Sequence, residues 1–393
     1  MNNYFDYIIV GGGSMGSATA YYLAKKGQKV LLLEQFDFIH EQGAHGGQTR
    51  LIRKAYFEHP DYVPLLLRAY QNWADLERET AQKVYFETGI LYFGKPNDAL
   101  LRNIKDSANR YDLKLNILKM AEAKQKYPQF EAIPNNWESI FEPEAGFLLV
   151  EKCVQLYLQQ ALKYGATLKA REKMLSWQEN SDGTSRYSRE GVLVKTEKSN
   201  YQAKKIIFTA GAWTDKFLQD LNVPLTVTRQ VLGWVRPKNW ADFTLDKFVC
   251  WGISDDKVGL YYGMPILNHE DTSGPLGLKL GSHLHGEVVN PDDVDRHIYE
   301  TDEATFKECL EKYMPTANGD ILAVKTCLYT NSPDENFIID KHPLRKNVIF
   351  ACGFSGHGFK FTSVVGEILS DLAIHGETVQ PIGFLSLERF TSI

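Results

Sequence analysis

The sequence predicts an α/β fold in which a parallel sheet with a phosphate-binding loop is interrupted by segments that build a second, α+β domain. Three observations predict it. Tyr7-Ile8-Ile9-Val10 runs into Gly11-Gly12-Gly13-Ser14-Met15-Gly16, then a helical pattern, then a second apolar run ending on Glu34. Two more strand-like runs, 205–213 and 348–352, end in small-residue turns far along the chain. Between these pieces, 83–147 and 223–318 carry short runs of strand type with turn residues around them.

The first unit has a physical reason at each position. A short β-branched run such as Tyr7–Val10 suits a strand buried on both faces. The helical pattern through Ala18, Tyr21, Tyr22, Leu23 and Ala24 stops at Gly27, and Val30-Leu31-Leu32-Leu33 forms the next strand. Gly11 permits a tight turn, Gly13 lets backbone approach a pyrophosphate, and Gly16 lets helix and strand pack closely. Ser14 and Met15 open the helix, whose free N–H groups and positive dipole end face the phosphates. Glu34 stands where a carboxylate accepts both ribose hydroxyls. The unit implies an ADP moiety and does not distinguish NAD from FAD.

The later runs favour flavin. Lys205-Ile206-Ile207-Phe208-Thr209-Ala210-Gly211 reads as a strand returning to the nucleotide fold after an insertion. Val348–Cys352 leads into Gly353-Phe354-Ser355-Gly356-His357-Gly358-Phe359-Lys360 and a helical run over 364–374. A second helix start is thereby offered to an electron-rich group, with Gly356, Gly358 and Phe359 cradling the flavin ring and ribityl chain. The expected architecture is a Rossmann-like FAD-binding domain of glutathione-reductase type, with an inserted antiparallel-sheet substrate domain walling the flavin. The FAD-binding part comprises 1–82, 148–222 and 319–393, and the substrate part 83–147 and 223–318. Asn180–Glu190 reads as a polar hairpin loop.

Composition narrows the class. A net charge of −5 argues against nucleic acid, which wants a basic surface. No apolar run approaches the roughly 20 residues that span a bilayer, and the Tyr7–Val10 run lacks the marks of a signal peptide. Five scattered cysteines without a CxxC pair suit free thiols in a reducing compartment and offer no metal site. A cytoplasmic enzyme is the expectation.

Several motifs together carry a resemblance. They are Val10–Gly16, Gln48-Thr49-Arg50-Leu51-Ile52-Arg53, Tyr62-Val63-Pro64, Tyr262-Gly263-Met264-Pro265, Gly277-Leu278-Lys279-Leu280-Gly281 and His283. Cys327-Leu328-Tyr329-Thr330, Pro333–Asp340 and Gly353–Lys360 complete the set. Over nearly its whole length the chain resembles the monomeric sarcosine oxidases and N-methyltryptophan oxidases. The resemblance implies FAD attached through its 8α-methyl to Cys327, whose thiolate nearby cations would favour. It implies oxidation of a secondary amino acid, sarcosine first, by hydride transfer to flavin N5. The product is an imine that water hydrolyses, with O2 reduced to hydrogen peroxide. Arg53 and Lys360 then anchor the substrate carboxylate as guanidinium fork and ammonium, with Tyr329 as a further donor. Lys279 is placed on the oxygen face of the flavin, where a fixed cation stabilises superoxide. His283 and Tyr262 border the amine, and Thr49 and Arg50 lie close to the flavin or its anchoring loop. A monomer acting on a small molecule is implied.

The chain also departs from that pattern. It reads His45-Gly46-Gly47-Gln48 where the family has a second histidine, Ser282 where a tyrosine is familiar, and a longer, more acidic loop over 268–275. These departures leave open another secondary amine (N-methyltryptophan, pipecolate or a glycated amine), a non-O2 acceptor, or a catalytically silent FAD-binding module. Cys352 reads as core packing.

Overall fold

The computed structural model describes residues 3–180, 190–272, 274–283 and 286–390. Its first sheet has a parallel core in the order Val348–Cys352, Asn200–Phe208, Tyr4–Val10, Val30–Leu33 and Thr167–Lys169. Every residue of Val30–Leu33 and Val348–Cys352 is buried, as continuous apolar runs in a covered parallel sheet require. Ser14–Lys25, Val150–Lys163 and Thr362–His375 pack together on one face. The last helix approaches very closely, because a Cβ on Gly366 would lie 2.6 Å from that of Ala18. The antiparallel strands Met174–Asn180 and Gly191–Thr196 extend the sheet, and the loop expected between them falls largely on 181–189, outside the described residues.

The second sheet has eight strands, in the order Ile321–Asn331, Thr226–Val235, Leu278–Ser282, Gly259–Met264, Cys250–Asp255, Ile90–Gly94, Glu138–Glu142 and Asn116–Leu118. All its pairings are antiparallel except Cys250–Asp255 with Ile90–Gly94, so the sheet is mixed. Two separate chain segments meet at that one parallel seam, where no hairpin dictates direction. Glu300–Tyr313 covers this sheet, with Phe306 occupying the space above Gly233, 2.7 Å from where a Cβ would sit. The strand Ile321–Asn331, expected on the nucleotide side of a boundary at 319, pairs along its length with Thr226–Val235. The segment bearing Cys327 is therefore part of the second sheet. A small third sheet, Thr49–Ile52, Gly146–Leu149 and Tyr85–Phe86, bridges the two.

Among the described residues no helix is long and apolar enough to cross a membrane, and no cluster of three or more His, Cys, Asp or Glu could hold a metal ion.

A nucleotide cleft that ends in a charged pocket

Because the central strands are parallel, their C-terminal ends share one edge, and the residues that follow them line one cleft. Gly11, Glu34, Thr209, Ala210 and Gly353 all do so. This is where open α/β sheets bind ligands. The cleft runs to a wall formed by the second sheet.

The glycines of the first loop have distinct jobs. Gly11 has φ +104°, and a Cβ there would lie 2.4 Å from the Thr209 carbonyl oxygen. At Gly16 a Cβ would sit 1.9 Å from the Gly11 oxygen, so only glycine lets the helix meet the strand. Gly16 is not on the cleft surface, whereas Gly13, Ser14 and Met15 are. A Cβ on Gly13 would meet only the His45 ring, at 3.5 Å, so the backbone there is left open to the cleft. The Glu34 carboxylate accepts the N–H of Gly12 at 2.8 Å and of Phe36 at 2.9 Å. Burial alone would raise its pKa, but His40 and these two N–H groups hold it below the usual range. It stays ionised, with lone pairs left for ribose hydroxyls.

The C-terminal loop lies over the second sheet. Gly356 has φ +78°, and a Cβ there would be 2.2 Å from the Tyr329 ring. Gly358 and Phe359 also line the cleft. Tyr329 shares an apolar cluster with Tyr262 and packs beside His283, ring centroids 5.7 Å apart. Burial lowers the pKa of His283, so its imidazole is neutral near pH 7.

At this end sits a charged group. Arg53 follows the strand Thr49–Ile52 and is 4% exposed. Its Nη2 donates to both carboxylate oxygens of Glu58, at 2.7 and 2.8 Å, and its Cζ lies 4.2 and 4.0 Å from the ring centres of Tyr56 and Phe57. Its Nη1 is buried with no hydrogen-bond partner among the described residues. Burial would raise the Glu58 pKa, yet Arg53, His357 and Lys360 bring it to about 2. Lys360 Nζ donates to the His357 carbonyl at 2.8 Å and the Tyr56 hydroxyl at 3.4 Å. Burial, with Arg53, pushes its pKa down to about 7. The His357 ring is fixed as one tautomer. Nε2 faces the Glu335 carbonyl at 3.0 Å and must carry the proton, so Nδ1 accepts from Tyr56 at 2.6 Å.

Besides Gly16, three expected site residues lie behind the cleft surface. Thr49 and Lys279 meet there: Lys279 Nζ donates to the carbonyls of Gly47 and Thr49 (2.6 Å to the latter) and to Thr49 Oγ1 at 3.1 Å. Burial and Arg50 push its pKa well below the lysine range. Its hydrogen-bond partners are two carbonyl oxygens and one hydroxyl, none of them charged. Cys327 is 1% exposed, between Thr326 and the cleft residue Leu328. Burial raises its thiol pKa, against the pull of Arg50, Lys279 and Arg296. Arg50 itself lines the cleft and donates to the carbonyls of Ala44, Gly46 and Thr49. Gln48, one of the departures, ties the bridging segment to the second sheet: it accepts from Trp234 Nε1 at 2.7 Å and donates to the Pro275 carbonyl at 2.6 Å.

Sequence reasoning did not single out Glu58, Tyr92 or His357 as site residues. Glu58 could have been suspected as an acid five residues past Arg53; Tyr92, in an apolar strand, gave no signal.

Comparison with known proteins agrees with this geometry. The pattern of the FAD dependent oxidoreductase family matches residues 6–372, and the chain belongs to that family. It is 40% identical to the monomeric sarcosine oxidase of Bacillus sp. (strain NS-129), over 99% of this chain and 98% of that protein. It is 32% identical to the N-methyl-L-tryptophan oxidase of Yersinia pestis (strain Pestoides F), over 98% and 99%. In fold it is similar to NikD, an unusual amino acid oxidase essential for nikkomycin biosynthesis, with TM-score 0.83, 23% identity and 98% coverage of both chains. The residues present fit FAD. The bare backbone at Gly13, the ionised Glu34 and the second glycine loop are placed for its phosphates, ribose and ring.

Proposed function

We propose that the chain is an FAD-dependent oxidase of N-methyl (secondary) amino acids, sarcosine first, with O2 as acceptor and hydrogen peroxide as product. The observation that carries this reading is the buried Arg53–Lys360 pair on the nucleotide cleft, where a guanidinium nitrogen has no hydrogen-bond partner among the described residues. A carboxylate from the cleft receives Arg53 Nη1 and the Lys360 ammonium, which holds the amino acid by its common end. Tyr262, Tyr329 and neutral His283 then border the amine. Burial among these rings disfavours an ammonium on the substrate, so it sits as the free amine, whose lone pair assists loss of a hydride from the adjacent carbon. FAD bound in the cleft supplies the hydride acceptor and the route of electrons to O2.

The test is anaerobic bleaching of the holoenzyme by sarcosine, other N-methyl amino acids, proline and pipecolate. Bleaching by sarcosine, with one peroxide per turnover when air is readmitted, is expected. A flavin that none of these bleaches sinks the reading.

Two finer assignments follow. Cys327 is the point of 8α-S-cysteinyl attachment, supported by three cations (Arg50, Lys279 and Arg296) acting on one thiol. Acid precipitation of the holoenzyme is expected to give a yellow pellet and Cys327→Ser a colourless one. A colourless wild-type pellet overturns attachment. Lys279 is the oxygen-side cation, supported by a buried lysine nitrogen whose hydrogen-bond partners are all neutral oxygens. Lys279→Met is expected to slow reoxidation by about 10^2-fold or more while sparing anaerobic reduction; an unchanged reoxidation rate removes that role. A monomer in a reducing, cytoplasmic compartment fits this reading, since all five cysteines are free and buried.

A further inference from the structure

Tyr92 lies on the strand Ile90–Gly94 of the second sheet and lines the cleft beside Arg53. It is 1% exposed, and its hydroxyl has no hydrogen-bond partner among the described residues. The ring is locked in place. A Cβ on neighbouring Gly252 would sit 2.7 Å from Tyr92 Cδ1 and 3.3 Å from Leu260 Cδ1, so the missing side chain there is the space the ring occupies. It packs in one apolar cluster with Tyr262, Cys327 and Tyr329. A hydroxyl desolvated in such surroundings is a net cost, and phenylalanine would fill the same space without it. The oxygen is useful only when a guest in the cleft supplies its partner.

In the proposed binding mode Arg53 Nη1 and Lys360 receive the carboxylate, which leaves the rest of the guest to supply that partner. Sarcosine, with hydrogen alone as its side chain, leaves the Tyr92 hydroxyl without a partner. We propose that Tyr92 is a specificity-determining residue that hydrogen-bonds a polar group on the side chain of the substrate, so that the site favours N-methyl amino acids with a short hydroxyl-bearing side chain over apolar ones of equal length. The inference rests on the amine-oxidase reading and goes beyond it by naming the substrate class. A buried hydroxyl matched to a substrate hydroxyl discriminates against the analogue lacking it, because that analogue strands the protein group.

The experiment compares N-methyl-L-serine with N-methyl-L-alanine on the holoenzyme, wild type and Tyr92→Phe, by anaerobic flavin reduction and kcat/KM. Wild type is expected to prefer the serine compound by about tenfold or more, and Tyr92→Phe to bring the ratio to about one or below by losing activity on the serine compound. A wild-type ratio at or below one, or a ratio unchanged in Tyr92→Phe, overturns the proposal. So does an equal loss on both compounds, which makes Tyr92 a donor to the carboxylate they share. Failure of the amine-oxidase reading is distinguishable, since then neither these compounds nor sarcosine bleaches the flavin. Tyr92→Phe adds no volume, and its melting temperature is expected at or above that of wild type.

Discussion

Replacing Arg53 by methionine is expected to lower kcat/KM for sarcosine by about 30- to 4000-fold, the equivalent of about 2–5 kcal/mol for breaking a buried, hydrogen-bonded charge pair. The loss has two sources. The unpaired Nη1 that would meet the substrate carboxylate disappears. Glu58 also loses the partner that does most, among the charges around it, to hold its pKa at about 2. Lys360 is the remaining cation acting on both Glu58 and the pocket, so in the variant its charge is drawn to Glu58. Arg53→Lys restores the charge but not the fork, nor its place over the rings of Tyr56 and Phe57, and is expected to recover only part of the loss. Stopped-flow reduction across a sarcosine titration separates affinity from rate. A loss smaller than tenfold in Arg53→Met would falsify the anchoring role.

Carboxylate affinity is expected to fall as pH rises through about 7. Lys360 faces Arg53 and Arg50, which repel its proton, and Glu58, which attracts it; burial outweighs all of them. Glu58 is already committed to Arg53 through both oxygens. His357, lowered to about 3, and His283, also lowered, bring no charge near neutrality, and Tyr56 offers only a neutral hydroxyl. A free-enzyme pKa lowered to about 7 means that the ammonium is present below that pH and lost above it. A bound carboxylate adds the missing counter-charge and raises the pKa again. Affinity is therefore fully present below pH 7 and decreases up to tenfold per unit above it, until the pKa of the complex is reached. Acetate is the appropriate probe, because a substrate amine titrates in the opposite sense. Its binding, read from the flavin absorption spectrum between pH 6 and 9, is expected to become weak and flat in Lys360→Met. A flat profile in wild type would show that Lys360 carries no titrating charge in the site.

Much of this was legible in the order of residues, and the illegible part has a common cause. The strand, glycine loop, helix, strand and acid from Tyr7 to Glu34 could be read because each is a local requirement satisfied by contiguous residues. Gly11 needs positive φ and Gly16 needs the absence of a Cβ, whatever else the chain does. The second strand–glycine–helix run at 348–374 could be read for the same reason. The strand at 321–331 reads from its sequence as part of the nucleotide domain, which resumes at 319. Its apolar composition says that it is buried, while only its hydrogen-bond partner Thr226–Val235 says where. The one parallel seam of the second sheet was likewise invisible, since it joins residues 90–93 to 250–253 without a connecting turn.

By itself the sequence determined a nucleotide fold assembled from three parts of the chain, with the positions of its glycine loop and of Glu34; with its family resemblance, it nominated Arg53 and Lys360 as anion ligands. The tertiary structure decided what surrounds those cations. It brought Glu58 against Arg53, seated the His357 carbonyl and the Tyr56 hydroxyl on Lys360, and buried beside the same cleft a Tyr92 hydroxyl with no hydrogen-bond partner among the described residues. The physical reason is that the backbone pattern of a loop or strand is local, whereas charge state and hydrogen-bond satisfaction depend on burial and on neighbours up to 300 residues away.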